Sequence, residues 1–538
     1  MATDDDNFFD AIIVGTGLTE SVLAAALSKA KYKVAHIDPN SYYGGNEASL
    51  SQDELLKWGE EVSRGRHPLF SAYSGSSETV PFSRQYSICL RPSVIPALGP
   101  LITGLIASGV SKYSGFKLLD SVSIYSPDGT IKPVPGSKEA VFNNKDISLI
   151  EKRRLMRFLT FAASDFEGKT EIQGKEDMPF REFLRTVFSL SENTVAVIVY
   201  SLAHCVSTQD RTLPSLLRLR GYVHSIGRYG PSPFLVGHYG GIGDISQGFC
   251  RASAVAGGVY VLGRPLASTA FHPGVSTEDS KQESFFEVKL DDFPEVLRSR
   301  IFVASREYAP QDVPVPPYSV PSPPSDSSAF PIARVARCIA IVDSPLKFQA
   351  GTPASTEEED GREAGPIDSG LLVIPPGTLS GGSQDTAATV FVNGENSLST
   401  PKGRWIVYIA LPLTSMSPED TPESILRPYL EAVLQPIGQS EDTEIKPLST
   451  SFFFENWCPV EKSPVAEVGG NPRYFLTPPL LYSAFPDLPD VATRNAEATF
   501  QVAVKSLRAI KEESPQDDEE LDFWPPVPVE ENSDDEDP

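Results

Sequence analysis

Residues 8–15 read Phe-Phe-Asp-Ala-Ile-Ile-Val-Gly, a buried strand that runs straight into Gly15-Thr16-Gly17 and an Ala-rich helix ending near Ala30. A second strand, Val34 to Asp38, follows at once. Strand, glycine turn, helix and strand within about 30 residues form the opening of a dinucleotide fold. The tight junctions favour a core of parallel strands.

In such a turn the first glycine bends the chain and the second lets the backbone approach a diphosphate. The third allows close packing of helix on strand. Here the third position is Glu20. A carboxylate in the first helical turn sits at the positive end of the helix dipole and repels a diphosphate. Asp38 stands where a ribose-binding acid belongs. The motif therefore predicts the fold, with Gly15, Gly17 and Glu20 as a degenerate loop, and no bound cofactor.

Beyond this unit the chain alternates in character. An apolar helix is expected from Arg91 to Val110, then strands near 117–125 and 130–135 joined by the turn Ser126-Pro127-Asp128-Gly129. Residues 140–228 read as helical: Leu155, Phe158, Leu159 and Ala162 recur at helical spacing, and 178–190 and 192–206 continue it. Strand signals return at 254–262, 301–304, 335–342, 390–393 and 404–413, and an amphipathic helix at 491–510 closes the body. Two stretches read as surface-loop insertions: 309–329, with seven prolines between Pro310 and Pro324, and the Glu-, Gly-, Thr- and Pro-rich 350–370. The expected fold class is α/β, a Rossmann-type FAD/NAD(P)-binding-like sheet domain with an inserted, mainly α-helical second domain. The sheet domain would take 1–139 and 229–510, the helical domain 140–228, and an acidic disordered tail 511–538.

Charge sharpens this. The 538 residues carry a net charge of −25, of which residues 511–538 supply −12 through 13 acidic side chains and one Lys. Such acidity excludes nucleic acid as a partner. Five scattered cysteines without CxxC spacing fit neither a disulfide framework nor a zinc site. The six histidines lack metal-ligand spacing and no nucleophile elbow is present, so no metal and no catalytic residue is assigned. The acidic start, the absence of an apolar run longer than Val195 to Val206 and the terminal Asp-Pro lead to the expectation of a soluble, cytoplasmic chain without lipid anchor.

Three ordered blocks carry a resemblance. Gly15-Thr16-Gly17-Leu18-Thr19-Glu20 precedes Asp38 and Tyr42-Tyr43-Gly44-Gly45; Glu151-Lys152-Arg153-Arg154-Leu155-Met156-Arg157-Phe158-Leu159 comes second. The third runs from Gly227-Arg228-Tyr229-Gly230 through Tyr239-Gly240 and Gly243-Asp244 to Gln247-Gly248-Phe249-Cys250-Arg251. Together they resemble the Rab GDP-dissociation inhibitor/Rab escort protein superfamily. Val141-Phe142-Asn143-Asn144-Lys145, Asn46, Cys250 and the ending Phe523-Trp524-Pro525-Pro526 are closer to the escort branch, known also as component A of Rab geranylgeranyltransferase.

The resemblance implies a GDI-like fold and a non-catalytic escort. It would bind GDP-bound Rab GTPases, present them to the Rab geranylgeranyltransferase alpha/beta heterodimer and deliver the prenylated product in vesicular traffic, associating transiently with membranes. By motif position the Rab-binding residues would be Tyr43, Asp244, Gln247 and Arg251. Asp244 departs from the family's usual Glu, and Arg251 has an internal ion pair with Asp244 or another acid as its plainer reading. Tyr222 and Arg228 are the transferase-docking candidates. Phe158, Leu159, Val195, Ile198 and Leu202 are candidates for the isoprenoid pocket, with ordinary core as the simpler account of each. The alternatives are a Rab GDP-dissociation inhibitor recycling prenylated Rab, a flavin-dependent oxidoreductase of the same fold, and a scaffold presenting its Pro-rich loop to SH3-like domains.

Overall fold

The computed structural model describes residues 7–135, 141–142, 144, 147–277, 280–309, 334–346, 367–435, 445–456, 466–468, 471–482, 484–511 and 522–525. The first strand, β1 (Phe8–Val14), the helix α1 (Leu18–Lys29) and the second strand, β2 (Val34–Asp38), form the opening unit. Gly15 turns the chain at φ +104°, a conformation side chains oppose, and Gly17 caps α1. Small and apolar residues (Val22, Ala24, Ala25, Ala26, Leu27) let α1 bury almost every position.

A parallel core grows around this unit in the order Val259–Leu262, β2, β1, Leu297–Ala304, Asn471–Leu476. Phe285–Leu290 and Leu266–His272 extend it antiparallel. Helices Ile242–Val255 and Leu488–Lys511 flank α1 on one face and close a single apolar cluster. A second sheet is mainly antiparallel: Phe70–Gly75, Ser449–Asn456, Arg334–Val342, Trp405–Leu413, Ala388–Asn393, Ser369–Ile374, Ser121–Tyr125, Ile131–Pro133. The helix Gln52–Ser63, started by a Ser51/Glu54 capping box, packs on its inner face, where Trp58 meets Phe453.

Between Leu149 and Ser225 the elements are helices: Leu149–Ala162, Phe180–Phe188, Glu192–Ala196 running into a π-helical turn at Val197–Leu202, and Thr212–Ser225. Ser148 starts the first by accepting from the Glu151 N–H at 3.3 Å. Their core is aromatic, with Phe158, Phe161, Phe180, Phe183 and Phe188 in mutual ring contact. Among the described residues no helix is long and apolar enough to cross a membrane.

Several boundaries differ from expectation. The helix read at 91–110 begins only at Pro100, because Pro92, Pro96 and Gly99 hold the preceding chain extended around a short strand at Ile95–Pro96. Ala254 and Val255 finish the helix from Ile242, so the strand read from 254 begins at Val259. The segment near 117–125 divides between two sheets. Ser369 and Gly370 lie in a buried strand; 310–329 and 350–366 fall outside the described residues. Of the tail, Asp522–Pro525 is described, and Phe523 is buried in the core rather than solvated.

A chain of buried charges joins the two sheets. Arg91 Nη1 donates to Glu47 Oε1 at 2.6 Å, and its Nη2 donates to Glu455 Oε1 at 2.8 Å and to the Leu480 carbonyl at 2.6 Å. Arg337 Nε donates to Glu455 Oε2 at 2.5 Å. Burial works against the Glu455 carboxylate, yet Arg337 and Arg91 hold its pKa below the ordinary range. Removing one partner of such a pair leaves a buried charge uncompensated. Arg91→Ala should therefore lower the unfolding free energy by about 3–5 kcal/mol, read as a shift of the urea midpoint. Arg64→Ala, which breaks an exposed pair with Glu60, should stay within about 0.5 kcal/mol.

Candidate functional site

The dinucleotide cleft does not fit a dinucleotide. A Cβ built on Gly17 would lie 2.6 Å from Glu20 Oε2 and 3.1 Å from Glu47 Oε2, so two carboxylates cover the backbone that should approach a diphosphate. Glu47 Oε2 also lies 3.4 Å from the Leu18 N–H at the positive end of α1. The Tyr308 ring covers Gly15 in the same way, 3.2 Å from a Cβ built there. Asp38 accepts from the Thr16 N–H at 2.8 Å, the Thr16 hydroxyl at 2.6 Å and the Asn40 N–H at 2.8 Å, leaving it nothing to offer a ribose. The remaining cavity, lined by Glu20, Glu47, Arg91, Ser305, Tyr308 and Thr477 among others, is about 50 Å³.

Glu20 is buried, and its Oε1 accepts from the Thr477 hydroxyl at 2.5 Å. Burial pushes its pKa up to about 8, against that hydrogen bond and with a further push from Glu47. It is therefore a neutral acid at pH 7 beside the buried Glu47–Arg91 contact, where burial also raises the Glu47 pKa against the pull of the arginine.

The same loop supports a surface. His36, buried on β2, faces the Gly15 carbonyl through Nε2, which must carry the proton. Its Nδ1 then accepts from the Tyr260 hydroxyl at 3.1 Å. Burial drives the His36 pKa down to about 4, so the ring stays neutral and this polarity is fixed. Tyr260 in turn meets Tyr43 edge-on at 6.3 Å between ring centroids. Gly44, at φ +98°, lets the turn after β2 press on the helix Ile242–Val255, since a Cβ there would lie 3.3 Å from Gly243 Cα.

That helix presents one polar face. Asp244, Gln247 and Arg251 fall at i, i+3 and i+7; Gln247 and Arg251 are exposed and Asp244 is half-buried. The structure thus brings Tyr43, Asp244, Gln247 and Arg251 into one region. The alternative of an Asp244–Arg251 ion pair is not formed: the Arg251 guanidinium stacks over Tyr113 at 4.9 Å. Burial alone raises the Asp244 pKa. Exposed Tyr113 lies under the Arg251 guanidinium at the edge of the face and was not among the sequence candidates. The Arg251–Tyr113 pairing spans 138 positions and leaves no local signal.

Other candidates are placed differently. Tyr222 is a correction: it is 6% exposed, its ring lies 4.9 Å from Phe234, and its hydroxyl donates to Asp487 Oδ1 at 3.2 Å. It fastens the helix Thr212–Ser225 to the sheet domain and faces no solvent. Arg228 is exposed and stacks over Tyr229 at 5.4 Å, so the presented aromatic at this corner is Tyr229. Phe158, Val195 and Ile198 are packed in the helical core, and Leu159 and Leu202 are half-buried against it. Among the described residues no group of three or more His, Cys, Asp or Glu could hold a metal ion.

A family model described as GDP dissociation inhibitor matches residues 4–315. The chain belongs to this family. Among curated relatives, the Saccharomyces cerevisiae protein named Rab proteins geranylgeranyltransferase component A is 31% identical over 414 residues, covering 74% of this chain and 61% of that one. The Candida albicans protein of the same name is 36% identical, covering 49% of this chain and 42% of that one. The human Rab proteins geranylgeranyltransferase component A 1 is 24% identical, covering 81% and 82%. The chain thus spans about three fifths or less of the first two relatives' length. The crystal structure of a Rab GDI from Plasmodium falciparum matches with a TM-score of 0.61 and 20% identity, over 92% of this chain and 98% of that one. It establishes the shared fold.

The sealed cleft of this GDP dissociation inhibitor family member makes a pH prediction. Glu20 titrates near 4.5 when unfolded and near 8 when folded, so between those values the folded state holds the extra proton. Stability is accordingly lost as pH rises through that window. Glu20→Gln, an isostere of the neutral acid, should remove this slope. Thermal melts at pH 5.5 and 8.5 should show the variant gaining on the parent by a few kcal/mol at the higher pH.

Proposed function

We propose that this chain is a Rab escort protein: it binds GDP-bound Rab GTPases and presents them to a geranylgeranyltransferase heterodimer. It then carries the prenylated product to membranes, itself catalysing no step. One observation carries the reading. The helix Ile242–Val255 holds a carboxylate, an amide and a guanidinium on one face beside Tyr43, with Asp244 and Arg251 left out of any ion pair among the described residues. An aromatic anchor flanked by unspent charges is suited to reading a protein surface that reorganises with bound nucleotide. The names of the relatives point to the same pathway.

The transferase is proposed to dock at the exposed corner formed by Ile226, Arg228 and Tyr229, with Tyr222 beneath it holding the helix in place. The helical unit is proposed to shelter the geranylgeranyl group, whose burial is worth about 0.8 kcal/mol per CH₂. Phe158, Leu159, Val195, Ile198 and Leu202 would contact the lipid once the helices part. Residues 149–228 carry twelve Lys and Arg against nine Asp and Glu, a positive island in a chain of net charge −25.

The family description and the Plasmodium structure favour a second reading, a GDP dissociation inhibitor that recycles prenylated Rab. Such a protein would extract prenylated Rab from membranes without retaining the transferase in a pull-down.

Reconstitution tests the lead reading. Prenylation of an unprocessed Rab by the heterodimer should stall without this chain and resume when it is added; equal rates in both reactions overturn the proposal. In the same assay Arg228→Glu should slow prenylation while leaving Rab binding intact. Arg251→Glu and Tyr43→Ala should each weaken binding to GDP-loaded Rab by about tenfold or more, measured by titration, with unchanged melting temperature.

A further inference from the structure

Phe523 and Trp524 return from beyond the last helix to pack beneath the helix that carries Asp244, Gln247 and Arg251. Phe523 is 9% exposed and meets Phe500 edge-on at 5.4 Å; Trp524 stacks on Phe249 at 6.0 Å with 24° between the rings. Gly104 lies under the indole, where a Cβ would stand 3.5 Å from Trp524, an ordinary van der Waals contact. The pair therefore bridges Pro100–Ser108, Ile242–Val255 and Leu488–Lys511.

Toward α1 the platform helix is held through small side chains: Cys250 Sγ lies 3.2 Å from Ser21 Oγ, and Ser253 Oγ 2.8 Å from Ser28 Oγ. These permit close approach and supply little apolar area. Ile242, Ile245 and Phe249 are the large side chains on the helix's buried face; Phe249 is the largest, and Trp524 is what it stacks on. At about 100° per residue, Phe249 lies roughly 200° around the helix from Arg251 and about 140° from Asp244. The contact with Trp524 thus lies on the side of the helix away from the polar face. An aromatic buries about 150–250 Å², so the clasp has the area to hold the helix from that side.

We infer that Phe523 and Trp524 are positioning residues for partner binding, a C-terminal clasp that fixes the orientation of the helix Ile242–Val255. This rests on the reading of that helix as the Rab-binding face. The four residues Asp522–Pro525 then act differently from the acidic sequence on either side of them.

The test uses the full chain with Trp524→Ala, Phe523→Ala/Trp524→Ala and Trp524→Phe, and a chain ending at Pro525. Hydrogen exchange is read at 242–255 and, for comparison, at 149–162; affinity is read by titration with GDP-loaded Rab. Both Ala variants should speed exchange at 242–255 while leaving 149–162 unchanged, and weaken binding about tenfold. Trp524→Phe and the chain ending at Pro525 should behave like the parent. Parental exchange and affinity in the double variant overturn the clasp, as does acceleration spread equally over both helices, which marks general destabilisation. If the parent binds no Rab the escort reading fails, while the exchange experiment still decides whether the pair orients this helix.

Discussion

The buried sequence Glu47–Arg91–Glu455–Arg337 is the interaction on which the rest depends. Glu47 belongs to the turn after β2, Arg91 to the chain leaving that unit, and Glu455 and Arg337 to neighbouring strands of the second sheet. Two carboxylates and two guanidinium groups balance in charge, and each carboxylate oxygen of Glu455 faces its own arginine. A buried ion pair adds little net stability over a well-packed apolar one, but it is intolerant of misplacement. The two sheets are consequently held in one register. That register places Glu47 over Gly17, so the joint between the sheets and the closure of the old nucleotide cleft are one arrangement.

Sealing the cleft turns a ligand site into a foundation. In a dinucleotide-binding fold the glycine backbone is kept open for phosphate. Here Glu20, Glu47 and Tyr308 cover it, and Asp38 is spent on Thr16 and Asn40. The loop still transmits shape outward, through the Gly15 carbonyl to His36, Tyr260 and Tyr43. What was the floor of a pocket has become the support of a surface. Glu20 is the informative residue, because a neutral acid supplies polarity without a third buried charge beside Glu47 and Arg91.

The sequence was most legible where neighbours along the chain decide the outcome. Gly15, the Ala-rich run of α1 and the turn at Ser126–Gly129 are local devices, and each appears where its residues predict it. The helix boundary at Pro100 was legible too, had Pro92 and Pro96 outweighed the apolar run after them. Long-range partners were not. Arg91 and Glu455 are 364 positions apart, and Tyr222 is buried by Phe234 and by Asp487, 265 residues away. Tyr222 was a candidate by position along the chain, and only packing could show that its ring turns inward. Phe523 and Trp524 stood in an acidic stretch whose composition argued for solvation; two aromatics finding Phe500 and Phe249 overrode it.

The proposed Rab-binding face is defined partly by a contact absent among the described residues. Asp244 and Arg251 share a helix face, but seven residues separate them by about 10.5 Å of rise, too far to pair. Moving either charge by one turn would allow an i, i+3 or i, i+4 contact worth about 0.2–0.5 kcal/mol. Instead Asp244 loses hydration without gaining a cation, and Arg251 rests on Tyr113, which orients the guanidinium without neutralising it. Elsewhere the chain pairs its buried charges closely, as Arg91 and Arg337 show. On the proposed reading, a fold that satisfies its deeply buried charges, yet among the described residues leaves Asp244 and Arg251 without an ion pair on one helix face, offers that pair to a partner of complementary charge.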